Sequence, residues 1–483
     1  MKNIDEIVMR LKKDYNNADD MTYREKIVCK RRLQIIYIDP LTSSDKISDF
    51  IVRSLDKINR LNKDKDLLRA ITNDIDNFKY KEVKTYEDLF YYLNYGFTIV
   101  LIEGEEVALA LETKRNLARS ISVPQTENSL RGAADAFVED MHTNLGLIRR
   151  RIKDNNLWIN SHEIGRYTKT KINVLYINGI CKKEYVNLIE KELKKIDIDG
   201  ITNAGVIKNL IEKENKSIFP TVISTERPDR VCRALLAGKI VILTDTTPFA
   251  LIIPVCINDL FLAMEDSYSK NINVSMTRVV RYVAFFITIL TPALYIAVTT
   301  YNQEMLPTQL LIGFVSQRAS VPFPAFIEAI IMMAAFEILR ECDLRTPTFT
   351  TSALSIVGAL ILGEAAVNAG IVSPIMIIVI AITAVSALLF TEPEVINGVR
   401  WYRLLFMIGA NFLGIFGVMI IFLYFITKLV SLESFGLPYL YPLTPTSFAG
   451  LKNSIIKFPD KSLKNRENAL SDNTIKLKKK GAK

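Results

Sequence analysis

The apolar positions of this chain keep two rhythms, short runs interrupted by charge up to about residue 280 and long unbroken runs after it. In the first part, LQIIYID (33–39) reads as a buried strand, DKISDFIVRSLDKI (45–58) as a helix, and FTIVLIEG with EVALALET (97–113) as a hairpin turning at Gly104-Glu105. A second set begins at Leu157, with strand-like LWINSHEIG, strand-like KINVLYING (171–179) and a charged helix, KKEYVNLIEKELKKI (182–196). Between Phe219 and Asp245 the pattern is most explicit. TVIST is a short strand, Pro228 and Asp229 open a helix, VCRALLAG carries it to Gly238, and KIVILTD returns as a strand. This strand–helix–strand unit lacks the glycine-rich loop that would cradle a phosphate, so it reads as a folding unit rather than a nucleotide site. The first 30 residues are strongly charged without a sustained apolar face, which predicts a frayed helix or a mobile segment.

Five later stretches approach the roughly 20 apolar residues that a crossing helix needs. They are VRYVAFFITILTPALYIAVTT (280–300), PFPAFIEAIIMMAAFEIL (322–339), ALSIVGALILGEAAVNAG (353–370), PIMIIVIAITAVSALLF (374–390) and LLFMIGANFLGIFGVMIIFLYFITKLV (404–430). The second carries Glu328 and Glu337 behind two prolines, a pattern that suits an interfacial, re-entrant or pore-facing helix as well as a span.

Charge sharpens this division. Residues 281–430 hold seven Lys/Arg and eight Asp/Glu, whereas residues 1–280 hold 44 basic and 40 acidic side chains, the density of a solvated surface. Of the net charge of +9, residues 431–483 contribute +6, so the excess marks a basic tail beside a membrane rather than a nucleic-acid surface. The N-terminus has no signal-peptide pattern, which predicts that the first 280 residues face the cytosol. Five crossings from there would put the lysine-rich tail outside, against the positive-inside bias. Four would keep it inside, demote the second stretch to a non-crossing helix and place Arg400 and Arg403 outside. The expected architecture is an α+β cytosolic N-terminal region in two subdomains (31–150 and 151–275, after a mobile 1–30), an α-helical transmembrane bundle of four to five spans (276–430) and a basic tail (431–483).

An ionisable side chain near a bilayer centre costs about 2.5–3.5 kcal/mol or more, and normally faces a bundle interior or a watery path. Glu364 and Asn368 are four apart and share a helical face, on which they either line a polar path or join helices by hydrogen bonds. Glu328 and Glu337 are nine apart, on opposite sides of one helix, and Glu337 is spaced to pair with Arg340. Small residues at helical spacing, Ala359, Gly363, Ala366 and Gly370 in one stretch and Ala410, Gly414 and Gly417 in another, mark close-packing seams. Pro292 is a candidate kink.

The chain has only two histidines, His142 and His162, and no HExxH, paired CxxC or nucleophile-elbow pattern. Its five cysteines, Cys29, Cys181, Cys232, Cys256 and Cys342, are scattered. Nothing here calls for a metal, a cofactor or an enzymatic site.

Several stretches carry a family resemblance: RGAADAFVEDMHTNLGLIRRRIK (131–153), GRYTKTKINVLYINGI (165–180), IDIDGI (196–201), FPTVISTERPDRVCRALLAGKIVILTDTTPFALIIP (219–254), LTPALYIAVTTYNQEMLPTQLL (290–311), VPFPAFIEAIIMMAAFEILRE (321–341), SIVGALILGEAAVNAGIVSPIMIIVIAITA (355–384) and SFGLPYLYPLTP (434–445). Over about residues 85–460 the chain resembles the A-subunit family of the germinant receptors of endospore-forming bacteria. It departs from the family pattern at Arg131-Gly132-Ala133-Ala134-Asp135, where Arg-Gly-Pro-Arg-Glu is more usual, and at Glu364, where glutamine is often found. The resemblance implies a sensor component of the spore inner membrane. It would act with a permease-like B subunit and a lipoprotein C subunit, and assemble as a homo-oligomeric, ligand-gated ion channel among membrane lipids. Two other readings fit the residues: a secondary transporter, although no internal repeat links the apolar stretches, and a non-conducting membrane scaffold.

Overall fold

The computed structural model describes residues 3–61, 79–115, 132–212, 217–345, 363–459 and 465–472, with Leu68, Ile71, Thr72, Pro124 and Glu127 between them. Two five-stranded antiparallel sheets organise its first half. The first contains β1 (Met21–Val28), β2 (Arg31–Ile38), β3 (Tyr80–Val83), β4 (Phe97–Ile102) and β5 (Ala108–Glu112), in the order β1-β2-β4-β5-β3. Alternate residues point to opposite faces. Ile36, Ile38, Ile99 and Leu101 meet α1 (Ile4–Asp14) on one side, while Leu33, Ile35, Val100 and Ile102 meet Ile47, Ile51, Leu55 and Ile58 on the other. The second group belongs to a π-helical turn, Ile47–Val52, and to α2 (Arg53–Leu61). Helices on both faces explain why the strands read as continuous apolar runs rather than as alternation.

The expectation of a frayed or mobile first 30 residues is corrected by α1 and β1. Ile4, Ile7 and Leu11 recur at spacings of three and four and are buried beneath α1, whose start is capped by Asn3. The dense charge around them lies on the other face and hides the stripe in the sequence. A third helix, α3 (Tyr86–Asn94), adds Leu89 and Leu93 to the same core.

The second sheet contains β6 (Leu157–Ile164), β7 (Thr170–Ile177), β8 (Ile223–Thr225), β9 (Ile240–Thr244) and β10 (Ala250–Ile253), ordered β6-β7-β9-β10-β8. Helix α4 (Met141–Arg151) precedes it, and α5 (Lys183–Lys195) and α6 (Ala204–Glu212) cover one face. Helix α7 (Pro228–Ala237) starts on Pro228 and stops at Gly238, whose φ of 97° is left-handed. The strand–helix–strand unit forms, but β10 lies between its two strands and pairs antiparallel with both. Arg149 of α4 is fully enclosed and clamps Asp20 from the first sheet unit, with Nη2–Oδ1 at 3.0 Å and Nε on Oδ2.

The second half is helical: α8 (Asn271–Thr300), α9 (Thr308–Arg318), α10 (Ala325–Arg345), α11 (Pro374–Ala387) and α12 (Pro393–Ser431). Two of these, α8 and α12, are long and apolar enough to cross a membrane. Helix α8 continues through the buried Pro292 without a break. Helix α12 contains 404–430, one of the five candidate spans, but is not one continuous helix. Gly414 leaves helical geometry at φ 62°, ψ −141°, and the chain folds back on itself there. Phe406 and Phe425 then lie 6.2 Å apart between ring centres, and Tyr402 and Phe425 4.7 Å, where a straight helix would separate either pair by roughly 28 Å or more at 1.5 Å per residue. Gly409 and Gly417 make the reversal possible, because a Cβ on Gly417 would stand 2.1 Å from the Gly409 carbonyl oxygen.

The bundle therefore has two distinct ends. At one, Arg278 and Arg281 of α8 hold Asp266 beside the second sheet, and Tyr402 stacks on Phe219 at 5.6 Å. At the other, the hairpin tip meets α8, with Ile415 N–H donating to Asn302 Oδ1 at 3.2 Å and Tyr301 Oη donating to the Asn411 carbonyl at 2.9 Å. After the hairpin the chain returns to the second sheet: Tyr439 Oη donates to the Pro220 carbonyl at 2.9 Å, and Tyr185 Oη to that of Ala469 at 2.8 Å. Most of the described part of 431–483 is thus packed against the sheet unit and is not a free tail.

Candidate functional site

The polar groups within the apolar block are the features that the chain's hydrophobicity does not explain, and the structure sorts them into three places. Glu328, in the first turn of α10, is fully buried near the tip end. Its Oε2 accepts from the Ser373 backbone N–H at 2.9 Å and from Ser373 Oγ at 2.8 Å, while Arg318 Nε lies 3.4 Å from Oε1. Ser373 is the N-cap of α11, so the carboxylate sits where the unpaired amides and dipole of a helix start favour negative charge. This arrangement fastens α9, α10 and α11 together.

Glu337 lies nine residues further along α10 and pairs with Arg340 three residues on, but its nearer partners come from α12. Arg400 Nη2 is 2.6 Å from Oε2 and Arg403 Nη2 3.4 Å from Oε1, with Arg340 Nη1 at 3.8 Å. Arg400 and Arg403 stand at the sheet end of the bundle: Arg400 lies midway between Gly398 and Tyr402, which contact Phe219, and Arg403 directly follows Tyr402. Because α10 joins Glu328 near the tip to Glu337 near the sheets, it runs along the bundle rather than lying across one end.

Glu364 and Asn368 occupy the third place. Residues 363–368 are helical, so Glu364 and Asn368 share a face as their spacing of four predicts, and both side chains are exposed. The four polar candidates are therefore not gathered into one site. Among the small residues, a Cβ on Gly363 would reach Ile377 of α11 at 3.9 Å, so it lies on a helix contact. Gly370, at φ 67°, ends the turn against the Ser320 carbonyl. Gly414 is the hairpin turn itself, and Gly417 with Gly409 is its seam. Sequence reasoning missed Arg318 and Ser373 as partners of Glu328, Arg400 and Arg403 as partners of Glu337, and Gly409. An available signal was the i, i+3 pair of arginines at the edge of an otherwise apolar stretch.

The bundle is tied to the second sheet by further charges. Arg230 bridges Glu392, just ahead of α12, and Glu127, while Lys208 of α6 holds Glu394. Lys239 is 2.5 Å from Asp259, whose carboxyl is pushed up by burial but brought below its ordinary range by that ammonium and by the Cys256 backbone N–H. No group of metal-ligating side chains gathers among the described residues.

Over residues 9–469 the chain matches the family described as Bacillus/Clostridium GerA spore germination protein. It is 38% identical over 455 residues to spore germination protein KA of Bacillus subtilis (strain 168), covering 94% of this chain and 84% of that one. Identity to spore germination protein B1 of the same organism is 36%, covering 94% and 95%. Among solved structures, the N-terminal domain of the A subunit of the Bacillus megaterium spore germinant receptor GerK3 is 31% identical, covering 52% of this chain and 94% of that chain, with a TM-score of 0.42.

Proposed function

The chain belongs to the GerA family of spore germination proteins, and from that premise we propose that it is the A-type membrane subunit of a nutrient germinant receptor, whose helices assemble with further copies into a ligand-gated ion channel. The observation that carries the channel reading is the exposed face of Glu364 and Asn368. A carboxylate turned toward lipid tails costs about 2.5–3.5 kcal/mol or more. A second copy of the chain, or a water-filled path between copies, removes that cost. An anionic face of this kind attracts cations.

In this reading the sheets face the cytosol, the core side of the spore inner membrane. Helix α8 leads away from them, and the hairpin of α12 leaves and returns on their side. The packing of Tyr439 and Ala469 against the second sheet unit supports an even number of passes. In that orientation the lysine-rich end, Arg400 and Arg403 share the cytosolic side, in keeping with the positive-inside bias. The permease-like B subunit and the lipoprotein C subunit are the partners implied, with the nutrient arriving through them and biasing a closed-to-open equilibrium by its different contacts in the two states.

The test is chemical. In spores carrying Asn368→Cys with Cys342→Ser, a charged thiol-reactive reagent is expected to slow nutrient-triggered cation release severalfold, leaving a receptor-independent trigger unaffected. Attachment of the reagent, verified by mass spectrometry, with unchanged release would remove this face from the conduction path.

A further inference from the structure

The charges at the sheet end of α10 and α12 do not balance. Glu337 is shared among Arg340, Arg400 and Arg403, and the neighbouring carboxylate, Glu341, also acts on Arg340. Among the described side chains, three guanidiniums thus face two carboxylates. Arg403 is the most telling of them: its side chain is 8% exposed, and among the described residues its one carboxylate contact is long at 3.4 Å and its Nε has no acceptor. The buried Nε of Arg400 has none either. A buried cationic donor without an acceptor is costly, and the cost disappears when an anion supplies one.

We propose that Arg340, Arg400 and Arg403 form a binding site for the phosphate of an anionic phospholipid in the leaflet on the sheet side. The proposal rests on the reading that the bundle lies in a bilayer with both sheets on one side, and is independent of whether the bundle conducts. Depth supports it. The arginines lie level with the Phe219–Tyr402 contact, where the bundle meets the second sheet. Trp401 (60% exposed) lies beside them in sequence, and Tyr424 on the second arm sits beside the Lys428 ammonium. Tryptophan, tyrosine and basic side chains gather where headgroups meet acyl chains. The surroundings select the source of the phosphate. Ile338 and Leu405 are also exposed next to the cluster, and acyl chains would cover them where a free phosphate ion would not. Guanidinium forks match phosphate oxygens in pairs, and basic pockets between helices on the cytoplasmic side are a recurrent form of headgroup site.

The experiment uses the purified full-length chain in detergent, with retained lipid counted by native mass spectrometry after addition of phosphatidylglycerol or phosphatidylcholine. The parent is expected to retain phosphatidylglycerol preferentially, with Arg400→Gln and Arg403→Gln each lowering retention roughly fivefold. Because loss of Arg403 could impair folding, Glu337→Gln is the second variant. It frees the arginines from their internal carboxylate and is expected to raise retention severalfold. Millimolar inorganic phosphate should leave the bound lipid in place. The proposal is overturned if phosphate displaces the lipid, which would make the site one for a free anion. It is also overturned if Glu337→Gln lowers retention, or if the folded arginine variants retain lipid as the parent does while losing self-association, which would assign the arginines to a carboxylate of a neighbouring copy.

Discussion

The sheet units and the helical bundle treat buried charge differently. In the sheets, guanidiniums meet carboxylates nearly one for one: Arg149 clamps Asp20, and Arg227 holds Asp229 at 2.8 Å while donating to the carbonyls of Glu127 and Ala133. In the bundle, one carboxylate serves three arginines at the sheet end, another is buried at the tip end, and a third stands exposed on the outer surface. In the sheet units each of these guanidiniums has its own carboxylate, although Arg149 Nη1 has no acceptor among the described residues, whereas in the bundle Glu337 is divided among three. That difference is why the proposals for lipid and for further copies of the chain concern the bundle and not the sheets.

The comparison is broken most severely at the hairpin. Gly414→Ala forces a side chain into a left-handed backbone and places its Cβ 2.8 Å from Asn302 Oδ1 and 2.9 Å from Tyr301 Cβ, with a destabilisation of roughly 3 kcal/mol or more. Loss of membrane-accumulated protein on a blot is the expected readout, and an unchanged level would mean that the turn is not tight. Nearly as large is Arg149→Ala, which strands Asp20 between the two sheet units and is expected to cost about 3–5 kcal/mol in denaturant unfolding of the full chain. The Asp20→Ala/Arg149→Ala double variant should lose less than the two single losses added together; simple additivity would show that the pair does not couple the units.

Glu328→Gln sharpens the comparison from the bundle side. It keeps an oxygen to accept from Ser373 and removes only the charge facing Arg318, so a loss of about 1–3 kcal/mol in thermal unfolding is expected, smaller than that of Glu328→Ala. Equal losses in the two variants would mean that the Ser373 contacts contribute nothing. The smallest effect is in thiol chemistry. Burial pushes the Cys181 and Cys232 thiols up to about 12, so near neutral pH they remain protonated and enclosed. A maleimide is therefore expected to label the exposed Cys342 first in native protein, with the others following only after denaturation. Early labelling of Cys232 would show that the α7 face is open.

Much of the sheet half is legible in the sequence because each strand is an apolar run bounded by turn residues, and because Pro228 and Gly238 delimit α7 by backbone chemistry alone. Helix α1 is not legible from composition, since its five apolar residues among eleven are outweighed by six charged ones, although the spacing of the three that are buried suffices. Strand β10 (ALII) adjoins the cis Ile253-Pro254 peptide and is followed by the apolar Val255-Cys256-Ile257, so its end is not marked by polar residues. In the bundle, helices are legible and their direction is not. A 27-residue apolar run (404–430) has the same hydropathy straight or folded, and only the glycines at 409, 414 and 417 record the reversal. The polar candidates follow the same rule: that Glu364 and Asn368 share a face is readable from spacing, but which neighbours a carboxylate meets depends on helices distant in sequence. Arg318 for Glu328 and Arg400 for Glu337 are partners of that kind.

The most direct measurement compares cation release from spores carrying Glu364→Gln with release from spores carrying Glu328→Gln, at matched protein level and with a receptor-independent trigger as control. If the exposed carboxylate borders the conduction path and the buried one only fastens helices, Glu364→Gln slows release or changes its ion preference, and Glu328→Gln leaves both as in the parent. Unchanged release in Glu364→Gln together with altered ion preference in Glu328→Gln would contradict the account.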